Sequence, residues 1–258
     1  MIAARLIKSG LCDAAKNMAI DEALFSSYKE KTSLPVLRVY GWSPAAFSLG
    51  CNQKPQELLN IFECEKAGIP IVKRPTGGGL IFHDDELTYS IVLCQDDLGV
   101  NRRVKESFEK ITSFLFCFYK NLGAKACFAK DVNPASGSHT IAPICFSRSE
   151  EYDILVNGKK IGGNAQKRRR SVILQHGSIP FSFSKEKISR FLKNPDMVCG
   201  LDVNSLKDIT TREICFDEMS QNLIDAFSCH FKLDLKATGL SPEEKKISDA
   251  LIKKAVLA

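Results

Sequence analysis

Two segments of this 258-residue chain contain groups that could do chemistry. The first runs from Lys73 to His83 and includes three consecutive glycines flanked by basic side chains. Glycines leave backbone N–H groups uncovered, so such a loop can lie against an elongated ligand and donate hydrogen bonds to it. A turn or bulge without a ligand remains the alternative, because three glycines alone do not distinguish the two. Lys73, Arg74 and His83 beside the glycines favour the ligand site.

The second segment places a cysteine before a basic hairpin. Asn157-Gly158 between Ile154–Val156 and Lys159–Ile161 predicts this hairpin, because the dipeptide accepts positive φ at both turn positions. Cys145 precedes the hairpin, and Lys160 lies on its second strand. An ammonium group near a thiol lowers the thiol pKa and increases the thiolate fraction that a nucleophilic cysteine needs. A packed Cys145 with a solvated Lys160 is the alternative.

A basic run follows the hairpin at residues 167–170. Such runs most often form solvated turns. Docking of an acidic protein partner near the mouth of the ligand site is the second possibility, and the net charge of +6 fits it. Nucleic-acid binding ranks third, because no aromatic side chains are interleaved with the basic ones.

The elements that position these segments are predicted from hydrophobic spacing and turn residues. Helices are expected at residues 13–28, 103–122, 216–231 and 242–257. Gly123 stands at the stop position of the second helix, and Ser241, Pro242 and Glu244 form a capping box at the last. Strands are expected at residues 35–40, 69–73, 87–93 and 171–179, the third of them half-buried because its apolar residues alternate. Strands and helices that mix without strict alternation indicate an α+β fold.

Composition indicates the class of protein and its compartment. The chain is 44% hydrophobic and 26% charged, which is ordinary for a globular protein. Its first ten residues are too polar for a signal peptide, and no apolar stretch reaches the length of a membrane helix. The ten cysteines stand singly, without CxxC or zinc spacing. We therefore expect a cytoplasmic chain with reduced thiols, most of them buried, and no metal site.

Taken together, the motifs resemble the biotin/lipoate protein ligase superfamily, and within it the cysteine-dependent octanoyltransferases of the lipoate-ligase-like branch. The matching segments lie between about residues 12 and 181: Asn17–Leu24, Leu37–Trp42, Ser48–Gly50, Asn52–Gln53, Arg74–His83, Glu86–Ser90, Cys145–Phe146, Gly158–Gln166 and Leu174–Ile179. Asn164 stands where the family usually has Ser, and Lys73 where Arg is common. Both departures keep the polar character of the position.

The resemblance implies a fold and a domain division. The fold would be a mixed β-sheet packed by helices, with the acyl tail in an apolar tunnel under the glycine loop. We expect a catalytic domain over residues 1–235, and a C-terminal helix over residues 236–258 packed on the same domain.

The resemblance also implies a reaction. Cys145 would take an octanoyl group from acyl carrier protein as a thioester, and Lys160 would activate the cysteine and orient the acyl carbonyl. The acceptor would be the target lysine of a lipoyl domain, such as the glycine-cleavage H protein or a dehydrogenase E2. The expected substrate-binding residues are Arg74, Thr76, Gly77, Gly78, Gly79, His83, Gly163, Gln166, His176 and Gly177. No cofactor, metal, nucleic acid or membrane partner is expected.

Three other functions stay open. An ATP-dependent lipoate-protein ligase would need no cysteine nucleophile, and Cys145, Glu86–Thr88 and Gln175 favour the transferase over it. A lipoyl-domain amidotransferase shares the cysteine and lysine, but its cysteine sits closer to the tyrosine that corresponds to Tyr152. A non-catalytic acyl- or carrier-protein-binding module belongs to a different class, and the intact Cys145 and Lys160 argue against it.

Overall fold

A computed structural model describes residues 2–99, 103–132 and 151–256 of the chain. Its strands are β1 Ile2–Cys12, β2 Val36–Trp42, β3 Ala46–Leu49, β4 Ile71–Lys73, β5 Ile81–His83, β6 Glu86–Cys94, β7 Ala126–Phe128, β8 Ile154–Val156, β9 Lys159–Ile161, β10 Gly163–Arg169, β11 Val172–Pro180, β12 Val203–Asn204 and β13 Leu233–Ala237. Its α-helices are α1 Ala14–Ser27, α2 Pro55–Leu58, α3 Ile61–Lys66, α4 Val104–Thr112, α5 Phe114–Asn121, α6 Ala129–Val132, α7 Lys185–Ser189, α8 Leu206–Ile209, α9 Phe216–Phe231 and α10 Pro242–Val256.

The central sheet is mixed. Its strands follow the order β10–β11–β6–β2–β1–β13 in the described part of the chain. The pairs β10–β11, β11–β6 and β6–β2 are antiparallel, whereas β1 is parallel to both β2 and β13. Two smaller sheets have the orders β12–β9–β8–β7 and β4–β3–β5. The predicted α+β fold, a mixed sheet packed by helices, is confirmed.

Strand β6 is buried on both faces, so the prediction of a half-buried strand is wrong. Ile91 packs in one core with Phe114 of α5 and Phe227 of α9. Val92, on the opposite face, packs in another core with Leu24 of α1. Alternation along a strand identifies two faces, but a central strand with helices on both sides has no face left for solvent.

The helix predicted over residues 103–122 is two helices, α4 and α5, separated at Ser113. The Ser113 hydroxyl donates to the carbonyl of Lys110 at 2.8 Å, and the Ser113 carbonyl accepts from the N–H of Phe116 at 3.1 Å. Both contacts span three residues, which tightens the helix at this point. Gly123, with φ of 81°, ends α5 as predicted.

The cysteines are less buried than expected. The described residues contain nine of them as free thiols, of which only Cys12, Cys64 and Cys94 are buried. Four are exposed, so the expectation that most are packed is wrong for this part of the chain.

The C-terminal elements join the N-terminal ones. Strand β13 pairs with β1, and α10 packs on α1. Ser241 and Glu244 form the predicted capping box, with Ser241 N–H donating to the Glu244 carboxylate at 2.6 Å and Glu244 N–H to the Ser241 hydroxyl at 3.2 Å. The division into residues 1–235 and 236–258 stays a prediction.

Candidate active site

A small pocket lies where the central sheet meets α1 and the glycine loop. Its wall consists of Met18, Tyr40, Trp42, Ser48, Arg74, Ile81, His83, Thr88, Gly163, Asn164, Ala165, His176, Gly177 and Ser178. Five of the predicted substrate-binding residues are among them: Arg74, His83, Gly163, His176 and Gly177. The cavity measures about 20 Å³, which is room for about one water molecule. An acyl chain can therefore enter only when wall side chains move.

A larger cleft of about 860 Å³ adjoins the pocket, between α1, β4 and α10. Met18 and Arg74 belong to the walls of both spaces. Arg74 is held by several hydrogen bonds, whereas Met18 is an unbranched thioether with three rotatable bonds. Met18 is therefore the more mobile part of the partition between the two spaces.

Arg74 holds the glycine loop through its carbonyl groups. Its guanidinium donates to the carbonyl of Gly77 at 2.8 Å, of Gly79 at 2.6 Å and of Ser48 at 3.1 Å. Gly78 has φ of 92°, a conformation that favours glycine. No described residue accepts a hydrogen bond from the N–H groups of these three loop glycines. The arrangement fits the expectation that the loop offers N–H groups to a ligand.

His176 connects the glycine loop to α1. Thr76 Oγ1 lies 2.6 Å from His176 Nε2, and His176 Nδ1 lies 3.5 Å from Asp21 Oδ2. Burial lowers the pKa of His176, so the imidazole is neutral near pH 7. With its proton on Nδ1 toward the Asp21 carboxylate, Nε2 accepts the hydrogen bond from the Thr76 hydroxyl. Thr76 itself is not part of the pocket wall. It affects the wall through its hydrogen bond to His176.

The Asp21 carboxylate is the negative group that His176, Arg38 and Tyr40 surround. Arg38 Nη1 donates to it at 2.7 Å, and the Tyr40 hydroxyl donates to it at 2.8 Å. The side chains of Asp21 and Arg38 are completely buried. Burial by itself raises the Asp21 pKa, but the charge of Arg38 and the contact with His176 outweigh it and lower the pKa to about 2. The carboxylate therefore stays ionised and fixes the orientation of His176.

Glu86 organises the opposite wall. Its carboxylate accepts from His83 Nδ1 at 2.8 Å, from the Ser178 hydroxyl at 2.7 Å and from the Thr88 hydroxyl. His83 in turn stacks on Trp42, with ring centroids 3.9 Å apart. Burial opposes ionisation of Glu86, yet the contacts with His83 and the hydroxyls lower its pKa below the usual range.

The Lys160 side chain is buried and pairs with a buried acid. Its ammonium donates to Asp153 Oδ2 at 2.6 Å. Asn157 and Gly158 both have positive φ, which confirms the predicted hairpin turn. Lys160 precedes the pocket residue Gly163 by three positions along the chain. Cys145, the expected nucleophile, lies outside the described residues.

Gly162 brings this hairpin close to β11. It has φ of 74°, and a methyl group on it would lie 2.3 Å from the Ser178 carbonyl oxygen. No residue other than glycine fits without moving the backbone of β11.

Two predicted features are not part of the pocket wall. Gln166 is not part of its wall, and its amide donates to Gln175 at 2.9 Å. The basic run is not a solvated turn at the mouth of the site, because Lys167, Arg168 and Arg169 belong to β10. Arg169 is six residues beyond Gly163 on that strand, or about 20 Å at the rise of a β-strand. Lys167, by contrast, is two residues after the pocket residue Ala165 and donates to Glu22, which lines the larger cleft, so the expected position near the mouth stays a prediction.

Several residues of the site were not among those predicted to bind substrate or to act in catalysis. They are the buried charges and hydroxyls that hold the predicted ones: Asp21, Arg38, Ser48, Glu86, Thr88, Asp153 and Ser178. Arg38 stands inside the otherwise apolar run Val36–Tyr40, and Asp21 stands among apolar positions of α1. A charge in an apolar element is the signal that could have found them, because a buried charge needs a partner.

Within the described residues, no helix combines the length and the apolar character needed to cross a membrane.

This chain is similar in sequence and in fold to known proteins. Residues 13–228 match the family model of the lipoyl protein ligase A/B catalytic domain. Octanoyltransferase LipM of Carboxydothermus hydrogenoformans is 34% identical over 93% of this chain and 90% of its own, and that of Bacillus subtilis is 32% identical over 93% and 90%. A bi-partite lipoate protein ligase from Thermoplasma acidophilum, studied with its E2 lipoyl domain, has a TM-score of 0.81 at 22% identity over 98% of this chain and 93% of its own. The chain therefore belongs to the lipoyl protein ligase A/B catalytic domain family.

Proposed function

We propose that this protein is an octanoyltransferase of lipoate biosynthesis, which moves an octanoyl group from acyl carrier protein to the target lysine of a lipoyl domain. The observation that carries the proposal is the similarity to octanoyltransferases over nine-tenths of both chains, at 32% and 34% identity. The acceptor would be a glycine-cleavage H protein or a dehydrogenase E2. The lipoate ligase structures, at 22% identity, support the fold and not the reaction.

The proposed reaction has two acyl transfers. The Cys145 thiolate attacks the thioester carbon of the donor, a new C–S bond forms as the donor C–S bond breaks, and the donor leaves as a thiolate that takes a proton from water. The neutral amine of the acceptor lysine then attacks the Cys145 thioester carbon, the amide forms as the C–S bond breaks, the nitrogen gives up one proton to water, and Cys145 leaves as the thiolate. The first step exchanges one thioester for another, and the second makes a more stable amide.

The described residues supply the surroundings that this reaction needs. The glycine loop directs its carbonyls to Arg74 and keeps its N–H groups available for the acyl carbonyl oxygen, where negative charge develops. Lys160 supplies a buried cation, and it precedes the pocket residue Gly163 by three positions in the sequence. The thioester also needs Cys145 as a free thiol, and a reducing compartment such as the cytoplasm keeps thiols free.

A labelling assay with matched donors tests the proposal. Octanoyl-carrier protein should acylate the purified protein, and Cys145→Ser should abolish this hydroxylamine-labile adduct while its thermal unfolding stays unchanged. Transfer to a lipoyl domain should follow without ATP. A requirement for ATP with free lipoate would instead identify a ligase, and labelling only by octanoylated H protein would identify an amidotransferase. Full transfer activity in Cys145→Ser would contradict the covalent mechanism.

A further inference from the structure

Three buried side chains at the pocket form a hydroxyl–imidazole–carboxylate chain that the proposed transfer does not use. Ser48 Oγ lies 2.7 Å from His83 Nε2, and His83 Nδ1 lies 2.8 Å from Glu86 Oε1. All three side chains are buried. Ser48 and His83 belong to the pocket wall, whereas Glu86 supports His83 without being part of the wall. We call these three residues the Ser48 triad.

The strand pairing brings the first two members of the triad together. Strands β3 and β5 are antiparallel, and His83 is directly opposite Ala46. Because Ala46 and Ser48 share one face of β3, Ser48 and His83 are diagonal neighbours on that face. Glu86 begins β6 three residues after His83. The triad is therefore positioned by the register of a sheet and by a two-residue connection.

The protons of the triad are placed for base catalysis. When the imidazole of His83 is neutral, its proton lies on Nδ1 toward the Glu86 carboxylate, and Nε2 accepts the proton of the Ser48 hydroxyl. Trp42 stacks on this imidazole with ring centroids 3.9 Å apart, which fixes the plane of the ring. Serine hydrolases use the same arrangement to remove the proton of their nucleophile.

Ser48 also retains the electron pair that a nucleophile needs. A hydroxyl oxygen has two lone pairs, and within the described residues Arg74 Nη1 donates to one of them at 3.2 Å. The other is left for attack on a carbonyl carbon in the pocket. The positive charge of Arg74 beside Ser48 Oγ favours the negative tetrahedral intermediate that this attack forms.

A second hydroxyl–imidazole–carboxylate chain of the site differs in two respects. Thr76 is hydrogen-bonded to His176, but Thr76 is not part of the pocket wall. His176 Nδ1 lies 3.5 Å from Asp21 Oδ2, which is longer than the 2.8 Å contact of the Ser48 triad. Thr76 therefore serves as an internal comparison for Ser48, since it has the same kinds of partner without access to the pocket.

We propose that the Ser48 triad gives this protein a second activity, the hydrolysis of small carboxylic esters through an acyl-Ser48 intermediate. This activity requires neither Cys145 nor the proposed transfer to a lipoyl domain. Its substrates are esters with an alkyl acyl part and a good leaving group, because such esters need no docked carrier protein. The cavity itself holds about one water molecule, so the ester enters as Met18 moves and opens the pocket to the adjoining cleft.

The hydrolysis has two steps. In the first, Ser48 Oγ attacks the ester carbon while His83 Nε2 takes the hydroxyl proton, the C–O bond to the leaving group breaks, and His83 returns the proton to the leaving alcohol. In the second, a water molecule gives a proton to His83 and attacks the acyl carbon, the bond to Ser48 breaks, and Ser48 recovers the proton as the carboxylic acid leaves. Glu86 stabilises the imidazolium that forms in each step.

Hydrolysis of p-nitrophenyl butyrate tests the activity. The assay uses a Cys145→Ala background, so that Cys145 cannot react with the ester. We expect Ser48→Ala and His83→Gln each to lower kcat/KM by about 100-fold or more, the usual contribution of a nucleophile and its base. Ser113→Ala is the matched control, because Ser113 Oγ lies 2.8 Å from His230 Nε2 outside the pocket, and it should leave the rate unchanged. Equal rates in Ser48→Ala and Ser113→Ala would overturn the proposal.

Chemical labelling separates a reactive nucleophile from a structural hydroxyl. Phenylmethanesulfonyl fluoride forms a sulfonate ester with an activated serine, and fluoride leaves as the proton passes to the base. In the same background, peptide mapping should find this ester on Ser48 and not on Thr76 or Ser113. Glu86→Gln should slow the labelling by about 100-fold while its urea unfolding shows a folded protein. Labelling of Ser48 no faster than Thr76 would overturn the proposal, and this measurement decides it even if Ser48→Ala does not fold.

The result is distinguishable from that of the proposed function. The transfer assay needs Cys145 and a carrier protein, whereas the ester assay contains neither. If octanoyl transfer is absent but Ser48 hydrolyses the ester, the reaction assignment fails and the hydrolytic activity stands. Because water removes the acyl group from Ser48, this activity leaves no lasting adduct that could be mistaken for the Cys145 thioester.

Discussion

The Asp153 carboxylate accepts a hydrogen bond from the Lys160 ammonium at 2.6 Å, and both side chains are buried. The lysine expected to activate Cys145 is therefore paired with an acid. A thiol near this pair experiences the field of both charges, and the two charges act on its pKa in opposite directions. If Lys160 acts electrostatically, removal of Lys160 and removal of Asp153 should therefore shift the Cys145 pKa in opposite directions. A purely structural role would not produce opposite shifts.

Removing either charge should change the reactivity of Cys145 in opposite directions. Lys160→Ala leaves the negative Asp153 and should slow alkylation of Cys145 near pH 7, whereas Asp153→Asn leaves the positive Lys160 and should accelerate it. A change of one pKa unit corresponds to about 1.4 kcal/mol, or tenfold in the ratio of thiolate to thiol well below the pKa. Peptide mapping after timed alkylation at several pH values measures the rate at Cys145 alone.

Lys159 provides the control for this pair. It is the exposed neighbour of Lys160 and pairs with Asp202. Lys159→Ala should leave the alkylation profile unchanged. If Lys160→Ala and Asp153→Asn shift the profile in the same direction, the effect is structural and the electrostatic assignment is wrong.

The glycine loop should tolerate a methyl group on Gly77 but not on Gly78. Gly78 has φ of 92°, and a methyl group there would lie 2.8 Å from Arg74 Nη2, whereas one on Gly77 would meet nothing within 4 Å. We expect Gly78→Ala to lower the free energy of unfolding by about 1–3 kcal/mol, the cost of a residue held in a sparsely populated conformation. Acyl transfer should fall with it. Urea unfolding of Gly78→Ala and Gly77→Ala measures the difference, and equal stabilities would contradict the contact with Arg74.

Arg169 should contribute to stability and not to docking of the donor. Its guanidinium donates to the carbonyls of Phe25 and Tyr28 at 3.2 and 3.3 Å, where α1 ends. Carbonyls at a helix C-terminus favour a positive group, so Arg169→Glu should cost about 1 kcal/mol of unfolding free energy. Arg170→Glu, in the turn after β10, is the matched control and should cost less. In Arg169→Glu, the kcat/KM for octanoyl-carrier protein and for a small octanoyl thioester should change by the same factor. A salt-dependent loss of kcat/KM toward the carrier protein alone would show that Arg169 takes part in docking.

The buried ion pair of Asp21 should make stability depend on pH in the acid range. The folded pKa of Asp21, about 2, is below its ordinary value of 3.8. Above pH 3.8 both the folded and unfolded states are ionised, and the stabilisation is fully present. It is lost as the pH falls from 3.8 toward 2, because the unfolded state then binds the proton first, and the loss should be about 2 kcal/mol.

Comparison with a neutral variant isolates this group from other acids. The difference in unfolding free energy between wild type and Asp21→Asn should shrink by about 2 kcal/mol from pH 4 to pH 2. Asp249→Asn, on the exposed side of α10, should follow the wild-type curve. A constant difference between wild type and Asp21→Asn across this range would mean that Arg38 and His176 do not stabilise the charged form.

The sequence by itself determined the elements whose signals are local. The bounds of α9, the Asn157-Gly158 turn, the capping box at Ser241 and the end of α5 at Gly123 all follow from residues that act within a few positions of one another. The glycine loop and Lys160 were also identified in this way, since an unusual composition is visible without a fold. For the same reason the motifs could be compared with a known family before any contact was known.

Only the tertiary structure decided what surrounds these residues. It buried β6 on both faces, placed Arg169 about 20 Å along β10 from Gly163, and paired His176 with Asp21 and Lys160 with Asp153. The partners in the first of these pairs are 155 positions apart in the chain, and no local pattern joins them. A buried charge must find a partner, but the sequence does not say which one, because the choice depends on which elements the sheet order brings side by side.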